Sequence, residues 1–527
     1  MQKSLQEQLH ALLNCDLKSL FPLAREKKRK LYFYVGPTNS GKTHEAMQEL
    51  MEADCGTYLA PLRLLALENY EKLKAHEIPV TLLTGEEEII DEEAGHVCST
   101  IEMANFNMEI DVCVIDEIQM LEDPDRGWAW VNAIVGAPAD KVIMTGSVNA
   151  LDAVKKIAAY LDEELVVKKF KRKNPLEVMK QPVPLKKVEK GTALITFSRS
   201  DVLALKAKLS KRHRVSVLYG NLSPEVRREE AKRFREGESD ILVATDAIAM
   251  GLNLPIKTIL FTTDTKFDGV ETRPLIPNEI IQIAGRAGRY GHHEKGYIGA
   301  TSQKVLEHIQ EEFHAPLRTI KPPFQVKATT SQILSLSEHL KTDDLTTILR
   351  YYAKHMKFTG PFIAANISYM LELSAFVQKK EGLTLEEKYM LSQAPVSTKS
   401  PLIKSAFNFY INAIIKKEVV HYKSSVNTSG IAKTEMELLR AEDEVKKISL
   451  YLWLAYKLPD LFPDAKEAEL ARVRVNRYCE ASLKSNKLLK SNKRNKKETQ
   501  YNKYQRQRRK NRAARNKGYR NRASKKR

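Results

Sequence analysis

The stretch Gly36-Pro37-Thr38-Asn39-Ser40-Gly41-Lys42-Thr43 decides the fold of this chain. It follows an apolar run at residues 31–35 and precedes a segment of helical character that includes residues 45–51. A glycine-rich loop between a strand and a helix presents backbone N–H groups and a helix N-terminus to phosphate oxygens. These eight residues are therefore the predicted ATP-binding loop, in which Lys42 reaches the β- and γ-phosphates and Thr43 binds Mg²⁺. A chance glycine-rich turn is the alternative, which the position after a strand disfavours.

Apolar strands alternate with helical stretches from residue 31 to about residue 306, which predicts two successive parallel α/β sheets. The strands read as continuous apolar runs, as expected when helices cover both faces of a sheet. They are residues 31–35, 57–60, 112–115 and 141–144 in the first sheet, and 193–197, 215–218, 241–244 and 258–262 in the second. The segment 167–184 is basic and contains several prolines, so we place the domain boundary near Val166.

Long helical periodicity replaces the strand pattern beyond about residue 315, which predicts an all-helical third domain. The helical segments are residues 331–352, 366–381, 405–417 and 435–458. A chain of 527 residues exceeds what one hydrophobic core serves, in agreement with several domains. The predicted division is an N-terminal helical segment at 1–29, an ATP-binding domain at 30–165, a second α/β domain at 166–315, a helical domain at 316–480 and a disordered basic tail at 481–527.

The tail carries almost all of the net charge of +20. Residues 481–527 contain 20 Lys and Arg and a single acid, Glu498, together with three tyrosines. Phosphate attraction and base stacking make such a segment suited to holding RNA, and the predicted contacts include Arg506, Arg508 and Arg509. A solubilising or targeting extension is the alternative. The rest of the chain is close to neutral, so any further nucleic-acid binding requires a local groove.

The stretch Val112-Cys-Val-Ile-Asp-Glu-Ile-Gln119 places two adjacent carboxylates at the end of a predicted buried strand. Asp116 is the predicted Mg²⁺ ligand, and Glu117 is predicted to orient and deprotonate the attacking water. Adjacent carboxylates repel one another unless a cation lies between them. An exposed turn is the alternative for an isolated Asp-Glu pair, but this pair follows a phosphate-binding loop.

The second α/β unit contains Gln282-Ile-Ala-Gly-Arg-Ala-Gly-Arg289. Arginines three residues apart on one helical turn can point together at a γ-phosphate and stabilise the charge that spreads over its oxygens. Arg289 is the predicted arginine finger, Arg286 its partner, and Gln282 the residue that orients water. A solvated basic helix is the alternative, although it leaves Gly285 and Gly288 unexplained, since glycine lowers helix propensity and permits close approach of another backbone.

The order of these three motifs resembles that of superfamily-two helicases of the DExH type. Further stretches match that family's intermediate motifs: Ala60-Pro-Leu-Arg-Leu-Leu-Ala-Leu-Glu68, Ser99-Thr-Ile-Glu102, Thr145-Gly-Ser147, Phe197-Ser-Arg199 and Ala244-Thr-Asp-Ala-Ile-Ala-Met-Gly251. More narrowly, Tyr219-Gly-Asn-Leu-Ser-Pro224 and Leu450-Tyr-Leu-Trp-Leu-Ala-Tyr456 are similar to the helicase of the mitochondrial RNA degradosome and its bacterial relatives.

The resemblance implies two tandem RecA-like domains and an ATP-dependent helicase that moves 3′ to 5′ on RNA, with DNA as an alternative. It also implies ATP contacts from Asp246 and Gly251. Short hydroxyl side chains at motif ends can bond phosphate oxygens without reading bases, although each alone is more often a cap or turn residue. The predicted nucleic-acid contacts in the body of the chain are Arg63, Thr100, Thr145, Ser198 and Thr245.

Partners and location follow from the same reasoning. The resemblance implies RNA as the partner and suggests an exoribonuclease, and no apolar run approaches the roughly 20 residues that span a bilayer. Residues 1–20 lack both a signal core and the Arg-rich make-up of a transit peptide, so the expected location is cytoplasmic. An ATP-gated RNA clamp that opens no duplex and a DNA repair motor are the competing functions.

Overall fold

The computed structural model describes residues 12–85, 87–249, 254–268, 271–289, 293–396 and 400–485. Four residues predicted to bind ligands lie outside this part of the chain: Gly251, Arg506, Arg508 and Arg509.

The first lobe is an eight-stranded sheet. In spatial order its strands are Glu88–Ile89, Val80–Leu83, His96–Thr100, Gly56–Ala60, Ile110–Ile115, Ala139–Gly146, Lys30–Val35 and Leu165–Lys169. All neighbours are parallel except Glu88–Ile89, which runs antiparallel to Val80–Leu83. The helices of this lobe are Lys42–Met51, Arg63–Ala75, Gly127–Gly136 and Leu151–Leu161. They bury the apolar strands and leave the carboxyl ends of the strands free to carry the motifs.

The boundary predicted near Val166 is wrong, because it falls inside an edge strand of the first sheet. Leu165–Lys169 pairs in parallel with Lys30–Val35, so the first lobe continues to Lys169. The second half of this strand is charged and exposed, as an edge position allows. Its composition therefore resembles that of the basic segment that follows it.

The second lobe is a six-stranded parallel sheet. Its strands in spatial order are Leu176–Val178, Gly296–Ala300, Thr258–Phe261, Thr192–Ile195, Ile241–Ala244 and Val215–Leu218. The helices are Arg199–Leu209, Pro224–Arg235, Pro277–Ala284 and Gln303–His314, and Thr265–Phe267 forms a small antiparallel hairpin with Thr272–Pro274. Short 3₁₀ turns occur in both lobes at Ile101–Met103, Ile118–Glu122, Val148–Ala150, Leu185–Lys187 and Asp246–Ala249. The two parallel sheets confirm the predicted tandem RecA-like architecture.

The third region is mainly helical, as predicted, and it also contains short strands. Its helices are Thr330–Leu340, Leu345–His355, Ser368–Val377, Leu385–Leu391, Pro401–Lys416, Glu435–Lys457 and Ala465–Lys484. Phe324–Val326 pairs with Phe362–Ala364. The last helix continues past the predicted boundary at 480. None of the helices described combines the length and apolar character needed to cross a membrane.

The N-terminal segment also differs from the predicted helix. Asn14–Cys15 is a short strand that pairs with Lys357–Phe358 of the third region. A 3₁₀ turn at Leu17–Leu20 and a single helix at Pro22–Glu26 follow. The segment is thus held by distant parts of the chain, which local periodicity does not reveal.

The third region contributes to the cores of both lobes. Phe324 and Phe362 belong to the core of the first lobe. Phe407 and Phe462 belong to a core that also contains Val217 of the second sheet. Different parts of the third region are therefore packed on the two lobes.

A buried ion pair joins the second lobe to the third region. Arg199 binds both carboxylate oxygens of Glu442, with Nε–Oε2 at 2.8 Å and Nη2–Oε1 at 2.9 Å. The Tyr219 hydroxyl donates to the same carboxylate at 2.7 Å. The Glu442 side chain is 1% exposed, so these partners take the place of water around its carboxylate. Arg199 belongs to the Phe197-Ser-Arg199 motif, which this contact links to the C-terminal helices.

Replacing Glu442 with leucine should destabilise the second lobe and its attached helices by about 3–5 kcal/mol, since it leaves the partly buried Arg199 guanidinium unpaired. Urea unfolding followed by circular dichroism measures the effect. Arg214→Ala is the control, because Arg214 forms its ion pair with Asp240 at the surface of the same lobe and should shift the transition little. Equal shifts for the two variants would contradict a structural role for Glu442.

Candidate functional site

The predicted phosphate-binding loop, residues 36–43, lies between a strand and a helix, as its sequence predicts. Strand Lys30–Val35 ends at the loop, and Gly36 N–H donates to the Gly146 carbonyl of the neighbouring strand at 3.0 Å. Gly41, the N-cap of helix Lys42–Met51, has φ 91°, a conformation that favours glycine. The Lys42 ammonium donates to the Pro37 carbonyl at 3.3 Å. The lysine therefore curls back over the loop.

The two acids follow strand Ile110–Ile115 directly. Asp116 is 3% exposed, and its carboxylate accepts hydrogen bonds from the Tyr58 hydroxyl at 2.9 Å and from Glu117 N–H at 2.9 Å. The Thr43 hydroxyl lies 3.4 Å from the same carboxylate. Burial, followed by the charge of Glu117, raises the pKa of Asp116. A buried carboxylate beside a second acid and a hydroxyl is a donor set that fits a divalent cation.

Thr145 does not occupy the nucleic-acid position predicted for it. Its side chain is fully buried, and its hydroxyl donates to Asp116 Oδ1. Strand Ala139–Gly146 lies beside strand Ile110–Ile115, and this pairing brings the Thr145-Gly-Ser147 motif to the acid pair. Thr145 therefore orients the Asp116 carboxylate and is inaccessible to a nucleic-acid strand in this structure.

Thr145→Val should lower the kcat of ATP hydrolysis by about ten- to a hundredfold, because a hydrogen bond to a charged group contributes about 1.5–3 kcal/mol. Steady-state ATP turnover at saturating RNA measures this. Thr145→Ser keeps the hydroxyl and should retain most of the activity. A Thr145→Val variant that lost RNA affinity while ATP turnover stayed normal would instead support the predicted contact between Thr145 and nucleic acid.

The arginine motif faces the same cavity as the phosphate-binding loop. Arg286 and Arg289 line a cavity of about 490 Å³ together with Lys42, Asp116 and Glu117. Burial lowers the pKa of both arginines, and for Arg286 the nearby charges of Glu117 and Asp116 oppose that effect. These charges indicate that Arg286 lies on the acid side of the cavity. Residues of the two lobes thus meet around one space.

The two arginines are held differently. Arg286 Nε donates to the Ala249 carbonyl at 3.0 Å, which fixes the orientation of its guanidinium. Within the described part of the chain, no hydrogen bond to the Arg289 guanidinium is present. Gln282 lines a smaller adjoining cavity of about 140 Å³ with Lys42 and Glu117. All four residues predicted to be catalytic therefore surround the same region of the cleft.

The lobes are in close contact at this cleft. Asn39 Nδ2 donates to the Gly285 carbonyl at 3.0 Å. A Cβ atom on Gly285 would lie 2.8 Å from Thr38 Cβ, and one on Gly288 would lie 2.4 Å from Gly296 N. Both glycines are thus required by close approach, Gly285 to the opposite lobe and Gly288 to its own sheet.

The position of Asp246 does not support its predicted contact with ATP. Asp246 forms an ion pair with Lys266 at 3.0 Å. It lines neither of the two cavities described above. Gly251, predicted from the same motif, lies outside the described residues. Ala249, in the same stretch of sequence, has a role within the second lobe itself, where its carbonyl accepts a hydrogen bond from Arg286.

The other predicted nucleic-acid contacts remain predictions. Arg63 lies 3.7 Å from Glu87, and Thr100 ends strand His96–Thr100 with 7% exposure. Ser198 caps helix Arg199–Leu209, accepting from Asp201 N–H at 3.0 Å. Thr245 accepts a longer bond from Ala247 N–H at 3.3 Å. Ser198 and Thr245 therefore have local structural roles whether or not a strand binds to them.

Several residues of the site escape sequence reasoning. Tyr58 and Trp130 hold Asp116, Trp130 through a bond from its indole N–H to the Asp116 carbonyl at 2.9 Å. Gln119 donates to the Glu117 carboxylate and is recognisable only as part of the Asp-Glu-x-Gln pattern. Glu68 lines the larger cavity, where burial raises its pKa to about 7 against the opposing charge of nearby arginines.

The chain matches four family models. They are the DEXQ-box helicase domain of Suv3 at residues 18–170, the helicase conserved C-terminal domain at 175–291, Suv3 C-terminal domain 1 at 372–411, and the C-terminal domain of the ATP-dependent RNA helicase SUV3 at 438–485. The first two cover the two lobes, and the last two fall in the third region.

Three curated relatives match most of the chain. It is 35% identical to DExH-box ATP-dependent RNA helicase DExH16, mitochondrial, of Arabidopsis thaliana, covering 89% of this chain and 83% of the relative. It is 34% identical to mitochondrial DExH18 of the same plant, covering 85% of this chain and 58% of the relative. It is also 34% identical to mitochondrial ATP-dependent RNA helicase SUV3 of Saccharomyces cerevisiae, covering 85% of this chain and 64% of the relative. The chain thus spans less than two thirds of the length of two of these relatives, DExH18 and SUV3.

These names correct the expected location. The relatives described above are all mitochondrial proteins, which points to a mitochondrial rather than a cytoplasmic location. The cytoplasmic expectation, which rests on the composition of residues 1–20, is contradicted by these names.

Proposed function

Because this chain belongs to the SUV3-type family of ATP-dependent RNA helicases, we propose that it hydrolyses ATP between its two lobes to move 3′ to 5′ along RNA and open duplexes during RNA turnover. One observation carries the proposal. Arg286 and Arg289 of the second lobe line the same cavity as Lys42, Asp116 and Glu117 of the first. The acids of one lobe and the arginines of the other, both of which phosphoryl transfer to water uses, thus come together where the lobes meet.

Each residue has a role in this proposal that follows from its position. The loop amides and Lys42 bind the phosphates. Thr43 and Asp116 would hold Mg²⁺, which supplies positive charge to the phosphate oxygens when bound. Glu117, fixed by its bond from Gln119, orients the attacking water and accepts its proton.

The second lobe completes this arrangement. Gln282 lines a cavity with Glu117, the residue proposed to orient the attacking water. The guanidinium groups of Arg286 and Arg289 stabilise the negative charge that develops on the transferred phosphoryl oxygens. Hydrolysis requires both lobes, and product release removes the phosphate charge that draws them together. Repeated closing and opening of the cleft would then move one RNA strand past the motifs predicted to contact nucleic acid.

Strand separation tests the proposal. Wild-type protein should hydrolyse ATP faster with RNA than without it and should unwind an RNA duplex with a 3′ overhang faster than one with a 5′ overhang. DNA overhangs of the same sequence measure the preference for RNA, which depends on contacts to the 2′-hydroxyl. RNA-stimulated turnover without strand separation on either overhang would overturn the helicase proposal in favour of an ATP-gated clamp.

The basic tail should add affinity for RNA without adding activity. Removing residues 486–527 leaves helix Ala465–Lys484 intact and should weaken RNA binding and flatten its salt dependence, because few phosphate contacts would then release counterions. ATP turnover without RNA should not change. Fluorescence anisotropy of a single-stranded RNA over a range of salt concentrations measures this, and an unchanged affinity at low salt would contradict it.

RNA turnover also implies a partner that degrades the strand released. We propose an exoribonuclease, which copurification of the full chain from its own cells would test.

A further inference from the structure

Arg172 connects the two halves of the cleft. It lies in the segment between strand Leu165–Lys169 of the first sheet and strand Leu176–Val178 of the second. Its guanidinium donates to the Thr38 carbonyl of the phosphate-binding loop at 2.9 Å and to the Gly285 carbonyl of the arginine motif at 2.8 Å. It also donates to the Ala287 carbonyl, while Nε donates to the Asn174 carbonyl at 2.8 Å.

The geometry of this side chain suits bridging. A guanidinium is a planar fork with five N–H donors and can bind several acceptors that converge from different directions. Its acceptors here belong to the first lobe, the second lobe and the connecting segment. The bonds to Thr38 and Gly285 can coexist only while the lobes are as close as they are in this structure. Opening the cleft would therefore break at least one of them.

The charge of Arg172 is also uncompensated. No carboxylate pairs with it within the described residues, and all four of its partners are backbone carbonyls. Burial lowers its pKa to about 10, so it stays protonated at neutral pH. A half-buried cation beside a phosphate-binding loop gains stability when a triphosphate brings negative charge nearby. ATP binding and the closed arrangement should therefore favour one another through this residue.

We propose that Arg172 is a positioning residue that ties the phosphate-binding loop to the arginine motif and so sets the fraction of ATP-bound molecules in which Arg286 and Arg289 are in place. This inference rests on the proposed ATPase function. It assigns to the connecting segment a role in closing the cleft, in addition to joining the lobes.

Two substitutions separate bridging from charge. Arg172→Ala should lower the kcat of RNA-stimulated ATP hydrolysis by about tenfold or more, because several charge-assisted bonds hold the closed state. Arg172→Lys keeps the charge but loses the Nε bond to Asn174 and the Nη2 bond to Ala287, which hold the guanidinium in place between the lobes. It should therefore recover only a small part of the activity. Lys171→Ala removes a neighbouring exposed cation and should leave kcat unchanged.

Closure is measured directly as energy transfer between dyes on cysteines introduced at exposed positions Lys155 and Lys211, one in each lobe. With a non-hydrolysable ATP analogue and RNA, wild type and Lys171→Ala should show the same closed fraction, and Arg172→Ala should show a smaller one. A closed fraction equal to that of wild type, or full recovery by Arg172→Lys, would overturn the inference. Failure of wild type itself to hydrolyse ATP would instead defeat the proposed function.

Discussion

Replacing Arg289 with alanine is expected to lower the rate of RNA-stimulated ATP hydrolysis by about 10³- to 10⁵-fold, the range seen when an arginine finger is lost. The structure places this side chain in the cavity with Lys42, Asp116 and Glu117. Its guanidinium has no hydrogen-bond partner within the described part of the chain, which leaves its donors available to a phosphate. The loss should appear in kcat, measured with saturating ATP and RNA.

Nucleotide binding distinguishes this outcome from a damaged fold. Because the phosphate-binding loop belongs to the other lobe, Arg289→Ala should bind a fluorescent ATP analogue within a few-fold of wild type. Arg212→Ala, which removes an exposed arginine from the same lobe, is the matched control and should hydrolyse ATP normally. Turnover by Arg289→Ala within tenfold of that control would show that the finger lies elsewhere, with Arg286 as the next residue to test.

Glu117→Gln should lower ATP turnover by about 10²- to 10⁴-fold, since the amide cannot accept the proton of the attacking water. Glu117 has φ 55°, a conformation that directs the residue away from its strand at the point where Gln119 can hold its carboxylate. The amide should still fit between the same neighbours. The variant should therefore bind ATP and RNA and remain in the nucleotide-bound state, which single-turnover hydrolysis and RNA anisotropy measure together.

Glu122→Gln controls for the loss of an acid at this end of the strand. Glu122 ends the turn Ile118–Glu122 that follows Glu117, and it is exposed at the surface. Its substitution should leave hydrolysis unchanged. If the two variants were equally active, the general base would have to be sought among other acids of the cavity, of which Glu68 is the next candidate.

The parts of the site that sequence predicts are those built from contiguous residues. The strand, loop and helix around Lys42 form one local unit, and Asp116 and Glu117 directly follow a recognisable apolar strand. Local pattern fixes such units because each residue type meets a requirement of its immediate neighbours. The fold class follows from the same signals, repeated along the chain.

The parts that sequence misses depend on pairing between distant segments. Thr145 reaches Asp116 only because their strands are neighbours, and a hydroxyl at a strand end looks the same whichever ligand it faces. Arg172 is one cation in a basic run, and its significance comes from carbonyl groups supplied by two lobes. Strand Leu165–Lys169 is half charged because it lies at a sheet edge, so it resembles a linker.

The third region contributes side chains to the cores of both lobes, so truncating the chain before it should damage both lobes. A fragment ending near residue 315 would lose Phe324 and Phe362 from one lobe and Phe407 and Phe462 from the other, exposing apolar surface on both. Such a fragment should aggregate rather than act as a minimal ATPase. The smallest fragment expected to fold and hydrolyse ATP by itself therefore includes almost the whole described chain, up to the end of helix Ala465–Lys484.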